Sequence, residues 1–147
     1  MTDQDQTAEP DAPDYVLDEQ IGYLLRKAYQ RNSLIFGEKV PDLTTMQFSV
    51  LRRLSTDGAM SQNLLGRSVA MDGATTKGVV DRLIDRGLLD TAPDPNDRRR
   101  RLISLTEQGH KVIAHAVTAA GEVSAETLSP LTRREQDTLL RLLSRLT

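Results

Sequence analysis

The chain has no cysteine, no tryptophan, only two histidines and only five aromatic residues in 147 positions. Without cysteine there can be no disulfide, no thiolate nucleophile, no thiol-based oxidant sensing and no cysteine-rich zinc site. His110 and His115 are five residues apart on a helical stretch, which turns them well over a right angle from each other, and nothing nearby supplies a third ligand. They read as solvated helix histidines, and neither a metal nor a cofactor is expected. No apolar run approaches the roughly 20 residues needed to span a bilayer, and the N-terminus is acidic where a secretory signal is basic, so a cytoplasmic location is expected. No nucleophile-base pair, glycine-rich phosphate loop or metal cluster stands out, so the chain does not read as an enzyme.

What is present is aliphatic. A hydrophobic share of 38% suffices for a core, but with 3% aromatics Leu, Val, Ile and Ala must build it. The length fits one domain, or a helical dimer whose termini pack against a partner chain. The net charge of −2 is unevenly spread: residues 1–20 hold seven acids and no base. The remaining fourteen acids face all nineteen bases, leaving 21–147 with an excess of five positive charges. Residues 1–14 read as a disordered acidic arm.

Helical spacing of Ile21, Leu24, Leu25, Ala28 and Ile35 predicts a first helix over about Leu17 to Lys39, stopped before Pro41. Thr44 with Gln47 makes a capping box for a second, whose buried stripe is Val50, Leu51 and Leu54 and which ends at Asp57-Gly58. Ser61 caps a short third helix through Ser68 with Leu64 and Leu65 inward, and Asp72 caps a fourth along Thr76, Val79, Val80, Leu83 and Ile84. Gly87 sits where a left-handed C-cap is wanted. The period then changes, and Leu88 to Ala92 and Arg101 to Leu105 read as a hairpin with a long charged tip. Thr106 caps a fifth helix carrying Val112, Ile113, Ala116, Val117, Ala120 and Val123. After a break at Ser129-Pro130, Thr132 and Glu135 box the start of a last helix, with stripe Leu139, Leu142, Leu143 and Leu146, running to the C-terminus. No internal repeat is found.

Two short helices, the second polar over its first turn, outline a helix-turn-helix, and the hairpin after it fits a wing. The fold class is mainly α with a small β-hairpin wing, and the fourth helix would read a major groove with its N-terminal residues. Thr75 and Lys77 point outward there; Thr76 also falls on the apolar stripe, so it is either a base contact or a partly buried hydroxyl. Gln62 and Asn63 are phosphate contacts or ordinary surface amides. Arg82 and Arg86 either pair with Asp81 and Asp85 or leave Arg82 for a phosphate. At the hairpin tip Arg98, Arg99, Arg100 and Arg101 are consecutive, which is either a solvated, salt-screened turn or, placed after a helix-turn-helix, a wing suited to lie along phosphates or to enter a minor groove. Asp97 beside them is expected to hold a neighbouring guanidinium in one rotamer.

Residues 43–109 resemble the MarR family of bacterial regulators. The resemblance runs from Leu-Thr-Thr-Met-Gln-Phe-Ser-Val-Leu through Asp-Arg-Leu-Ile-Asp-Arg-Gly-Leu-Leu to Asp-Pro-Asn-Asp-Arg-Arg and Leu-Thr-Glu-Gln-Gly. The wing sequence Asp97-Arg98-Arg99, followed by Ile103-Ser104-Leu105-Thr106 and Gly109, is its specific part. The resemblance implies an obligate homodimer of winged helix-turn-helix lobes, with dimerisation helices in 15–40 and 107–147 flanking a DNA-binding domain over 41–106. It implies recognition helices in the major grooves of a pseudo-palindromic double-stranded operator, with Arg99 in the flanking minor groove.

Members of the family commonly repress genes and release DNA when a small phenolic or aromatic acid binds between dimer helices and DNA-binding lobe. Tyr23, Tyr29 and Phe36 on the first helix and Phe48 on the second border such a place. Tyr23, Arg26, Gln30 and Ser33 share a helical face, which is either a carboxylate site headed by Arg26 or an exposed polar face. Peroxide-sensing branches use cysteine and zinc-sensing branches several histidines and acids, so an organic effector is the remaining trigger. The segment from Asp18 to Arg26 and Ile35-Phe36 resembles regulators of aromatic or nicotinate-type acid catabolism. The alternative is a winged-helix module that binds another protein through wing and arm.

Overall fold

A computed structural model describes residues 14–147; most of the acidic arm lies outside them. A 3-10 turn over Leu17–Glu19 leads into α1 (Ile21–Lys39), followed by α2 (Thr45–Asp57), β1 (Met60–Ser61), α3 (Gln62–Ser68) and α4 (Gly73–Asp85). The wing is β2 (Leu89–Pro93) and β3 (Arg101–Leu105), and α5 (Glu107–Thr127) and α6 (Arg133–Leu143) complete the chain. The first helix therefore begins four residues later than its apolar spacing implied. Gln20, its N-cap, makes no side-chain cap bond, and the turn before it is wound too tightly to join the α-helical ladder.

Every other helix start follows its cap. Thr44 accepts the Gln47 N–H at 3.1 Å while the Gln47 side chain accepts the Thr44 N–H at 3.1 Å, and Thr132 and Glu135 repeat the exchange on α6. At the end of α4, Gly87 has φ 72°; its N–H reaches the Ile84 carbonyl and that of Leu88 reaches Leu83, a Schellman closure.

The core sits where α2, α4, α5 and the sheet converge: Val50, Leu51, Leu65, Leu83, Leu89 and Ile113 are almost fully buried. The sheet order is β1-β3-β2, all antiparallel, with Leu89 opposite Leu105 and Pro93 opposite Arg101. The strand β1 was not anticipated, because two residues carry no periodicity. β2 lies at the sheet edge, where Pro93 costs no ladder bond, so the strand ends one residue later than expected.

On the opposite side α1 is fastened to α5. Arg31 donates to the carbonyls of Glu126 at 3.0 Å and Thr127 at 3.3 Å, and Asn32 donates to the Thr127 hydroxyl. The Lys39 ammonium meets Glu126 and Glu122 at 3.0 and 3.2 Å, and bonds to these two carboxylates, Glu126 first, raise its pKa above the ordinary lysine value. By contrast α6 buries none of its residues and stops at Leu143, short of the C-terminus. Leu140 and Leu142 on it, Leu146 beyond its end, and Ile21, Leu24 and Leu34 on α1 remain exposed.

Candidate nucleic-acid interface

The α3–α4 pair is held at short range by two small residues. A Cβ built on Gly66 would lie 2.8 Å from the Thr76 hydroxyl oxygen, so α3 and α4 cross with nothing but a glycine between them. The Thr76 hydroxyl donates to the Asp72 carbonyl at 2.7 Å, and the residue has no solvent exposure. Thr76 is therefore a packing residue, and its expected place among the base contacts is corrected: a side chain sealed against α3 cannot reach a groove.

Asp72 caps α4 by accepting the Thr75 N–H at 2.7 Å. The hydrogen bonds from the Thr75 backbone, the Thr75 side chain and the Ala74 backbone hold its carboxyl below the ordinary value. This cap leaves Gly73, Ala74 and Lys77 exposed and Thr75 half-buried at the leading tip. The Lys77 ammonium is 2.6 Å from Asp81, one turn along. The turn between the helices includes Ala70 at φ 56°, a left-handed conformation unusual for alanine.

In α3 Leu65 is buried, but Leu64 is 45% exposed, contrary to its expected inward position. Adjacent residues on a helix point about 100° apart, and a seven-residue helix packed along one side buries only one of the pair. Gln62 is half-buried and Asn63 exposed, and among the described residues neither side chain has a hydrogen-bond partner. Arg67, one turn beyond Asn63 on the same face, is also exposed and was missed; the signal was that it is the sole charge in α3.

The expected pairing of Arg82 and Arg86 with Asp81 and Asp85 does not form. Asp81 belongs to Lys77, and Arg86 instead donates to the Asp42 carbonyl at 2.9 Å and to the Gln47 side chain at 3.4 Å. Arg82 is exposed, with no acid in ion-pair reach among the described residues.

The wing tip is a built turn. The Asp94 N–H donates to the Arg100 carbonyl and the Arg100 N–H to the Asp97 carbonyl, both at 2.9 Å. The Asp94 carboxylate accepts the Asn96 N–H at 2.9 Å and the Asp97 carboxylate accepts the Arg99 N–H at 3.0 Å. Asp97 thus fixes backbone, which corrects the expectation that it holds a guanidinium. Arg101 is tethered to the Thr91 hydroxyl at 2.7 Å, while Arg98, Arg99 and Arg100 are exposed and, among the described residues, bond to nothing through their side chains. Three exposed cations on a hydrogen-bonded turn suit a polyanion.

The expected effector residues are brought together only in part. Tyr29, Gln30, Ser33 and Leu34 line one hollow, the Tyr29 hydroxyl lies 3.0 Å from the Thr45 hydroxyl, and the Ser33 hydroxyl is buried with no hydrogen-bond partner among the described residues. Tyr23 lies instead under the Lys27 ammonium, 5.5 Å from the ring centroid, and Arg26 is exposed. Phe48 meets Phe36 edge-on at 5.4 Å and lines a different hollow with Arg52 and Arg53. Among the described residues no helix is long and apolar enough to cross a membrane.

The model of the MarR family matches residues 43–100. The transcriptional repressor NicR of Pseudomonas putida is 39% identical over 134 residues, covering 90% of this chain and 85% of the relative. A probable transcriptional regulator from Pseudomonas aeruginosa has a similar structure, with TM-score 0.86 and 45% identity over 90% of this chain and all of the other. The structure of Bordetella bronchiseptica BpsR, whose DNA binding is regulated by 6-hydroxynicotinic acid, superposes with TM-score 0.85 at 38% identity, covering 90% of this chain and 96% of that one. With its recognition helix capped by Asp72 and its arginine-tipped wing, the chain belongs to the MarR family and is a winged helix-turn-helix transcriptional regulator.

Proposed function

We propose that the protein is a cytoplasmic homodimeric repressor, acting by binding rather than catalysis, which leaves a pseudo-palindromic operator when a small aromatic or phenolic acid binds. The observation that carries DNA contact is the wing: Asp94 and Asp97 order its backbone, so Arg98, Arg99 and Arg100 start from a fixed base. Arg99 enters the minor groove beside each half-site, while Arg98 and Arg100 meet phosphates. Thr75 and Lys77 face base edges, and Gln62, Asn63, Arg67 and Arg82 meet the backbone. Lys77 is paired with Asp81, so a phosphate or base acceptor must replace that carboxylate.

Dimerisation is supported by α6, a helix with no buried residue and exposed leucines, which needs a second apolar surface. The effector reading is supported by the partnerless Ser33 hydroxyl beside Tyr29 and Gln30, and by the regulation of BpsR by a hydroxylated aromatic acid. Arg26, Tyr23 and Phe48 join such a site only if a partner chain or a helix shift brings them to it.

Titrating salt against duplex binding tests the DNA reading. Affinity should fall with a logarithmic slope of about −0.9 per phosphate neutralised, so several contacts per protomer give a steep line. A protein-binding module would show weak duplex affinity with no preference among sequences.

A further inference from the structure

The recognition helix turns an acid outward as well as a cation. On α4 the side away from the buried stripe of Thr76, Val79, Val80 and Leu83 holds Ala74, Lys77, Gly78 and Asp81. Asp81 is exposed, and among the described residues its carboxylate bonds only to the Lys77 ammonium, at 2.6 Å. An exposed pair one helical turn apart is weak, and weaker with the cation on the N-terminal side, so it opens at small cost to the fold. An acid on the face that meets a polyanion lowers affinity for every duplex unless a donor there satisfies it.

Beside this pair the helix is bare. A Cβ built on Gly78 would meet only the Arg82 guanidinium, at 3.8 Å, so packing does not call for a glycine, and in mid-helix glycine is less stable than alanine. A bare backbone lets the helix approach a partner closely, which a side chain as short as aspartate needs if it is to reach a base edge.

Two groups donate in the major groove, the cytosine N4 amino group and the adenine N6 amino group. A carboxylate can only accept. Adenine sets the N7 acceptor beside its amino group and so repels a carboxylate, whereas cytosine presents a donor alone, and its guanine partner presents N7 and O6 to an ammonium. We propose that Lys77 and Asp81 together read one G·C base pair in each half-site, Lys77 on the guanine acceptors and Asp81 on the cytosine amino group. The guanine acceptors replace the carboxylate on Lys77, and the released carboxylate is satisfied only where cytosine stands opposite. Asp81 is thus a specificity-determining residue that acts mostly by rejecting other pairs, where it is left without a donor beside the phosphates. Asp85, the last residue of α4, lies a further turn from the tip and takes no part. This deepens the DNA reading of α4 and rests on it.

The test starts from duplexes selected out of a randomised pool by the purified full-length protein, as wild type, Asp81→Asn, Asp81→Ala and Lys77→Met. Each selected motif is then titrated by fluorescence anisotropy with single base changes. The wild type should prefer G·C over A·T at one position of each half-site by about tenfold or more. Asp81→Asn should replace cytosine with adenine at that position, because an amide offers the donor and acceptor that adenine N7 and N6 match. Asp81→Ala should lose the preference there alone and bind unrelated duplexes more tightly at the same salt, since a repulsive charge has gone. Lys77→Met should lose the preference for guanine at the same pair. Replacing that cytosine with 2-pyrimidinone, which lacks the amino group, should weaken the wild type by about fivefold or more and leave Asp81→Ala unchanged.

Unaltered preference at every position in both Asp81 variants, a uniform loss across all duplexes, or equal response of wild type and Asp81→Ala to the missing amino group would overturn the role of Asp81. Indifference of the wild type to 2-pyrimidinone overturns it without any variant. In each of these cases the selected motif leaves the DNA reading standing, whereas a wild type that enriches no motif removes that reading and the role of Asp81 with it.

Discussion

The Asp97 carboxylate accepts the backbone N–H of Arg99 at 3.0 Å, so an acid in the middle of the wing orders the cations that follow it. Replacing Asp97 with Asn or with Ala removes the same charge, but Asn retains an oxygen that can accept the bond. Operator affinity of Asp97→Asn should therefore exceed that of Asp97→Ala by about 0.5–1.5 kcal/mol, the value of one such hydrogen bond. Fluorescence anisotropy on one duplex measures the difference, and equal affinities would remove the turn from the account.

Arg99→Ala should weaken operator binding by about 1–3 kcal/mol, with circular dichroism and thermal midpoint unchanged because the side chain is exposed and, among the described residues, makes no hydrogen bond. The loss should be largest on operators with a narrow minor groove flanking each half-site. Arg101→Ala is different, since that guanidinium braces Thr91 across the hairpin, and should lower stability as well as affinity.

Gly66→Ala should destabilise the fold by about 1–3 kcal/mol in urea unfolding, as an overpacked helix crossing does. The added Cβ meets the Thr76 hydroxyl at 2.8 Å and the Met71 carbonyl at 3.3 Å, and neither belongs to a flexible side-chain end. If the α3–α4 contact were loose the substitution would instead stabilise, by lowering the entropy of the unfolded chain.

The Asp72 cap has a pH signature. The N–H and hydroxyl groups of Thr75 bind the ionised form, so the folded pKa lies below the ordinary 3.8. A lowered folded pKa contributes stability that is fully present above the unfolded value and is lost as pH falls through the folded one. Asp72→Asn caps without titrating. The thermal midpoints of wild type and variant should keep a constant separation from neutral pH to about pH 5. Below the unfolded carboxyl range that separation should change in the direction of lost wild-type advantage. A pH-independent separation would contradict the cap's charge.

Most of the framework was legible because caps and turns are local. Thr44, Ser61, Asp72, Thr106 and Thr132 each start the helix their side chains announced, and Gly87 ends α4 as its position required. What escaped depends on distant partners. Met60–Ser61 becomes a strand only because β3, some forty residues on, passes beside it. The apolar stripe of α4 left Thr76 open between a base contact and a partly buried hydroxyl, and only the glycine that α3 offers opposite seals it completely. Arg86 looked like a surface charge until the α1–α2 turn came within reach of it. The effector residues were least legible: helical periodicity put Tyr23, Arg26, Gln30 and Ser33 on one face, but a hollow also needs walls from elsewhere in the fold.

Sedimentation of the purified protein with inverted-repeat duplexes of varied half-site spacing measures directly whether a two-fold pair of chains sits on B-form DNA. One dimer should bind each duplex, tightest when half-site centres are about one helical turn, 34–36 Å, apart. A monomer on the duplex, or affinity indifferent to spacing and to inversion of one half-site, would contradict it.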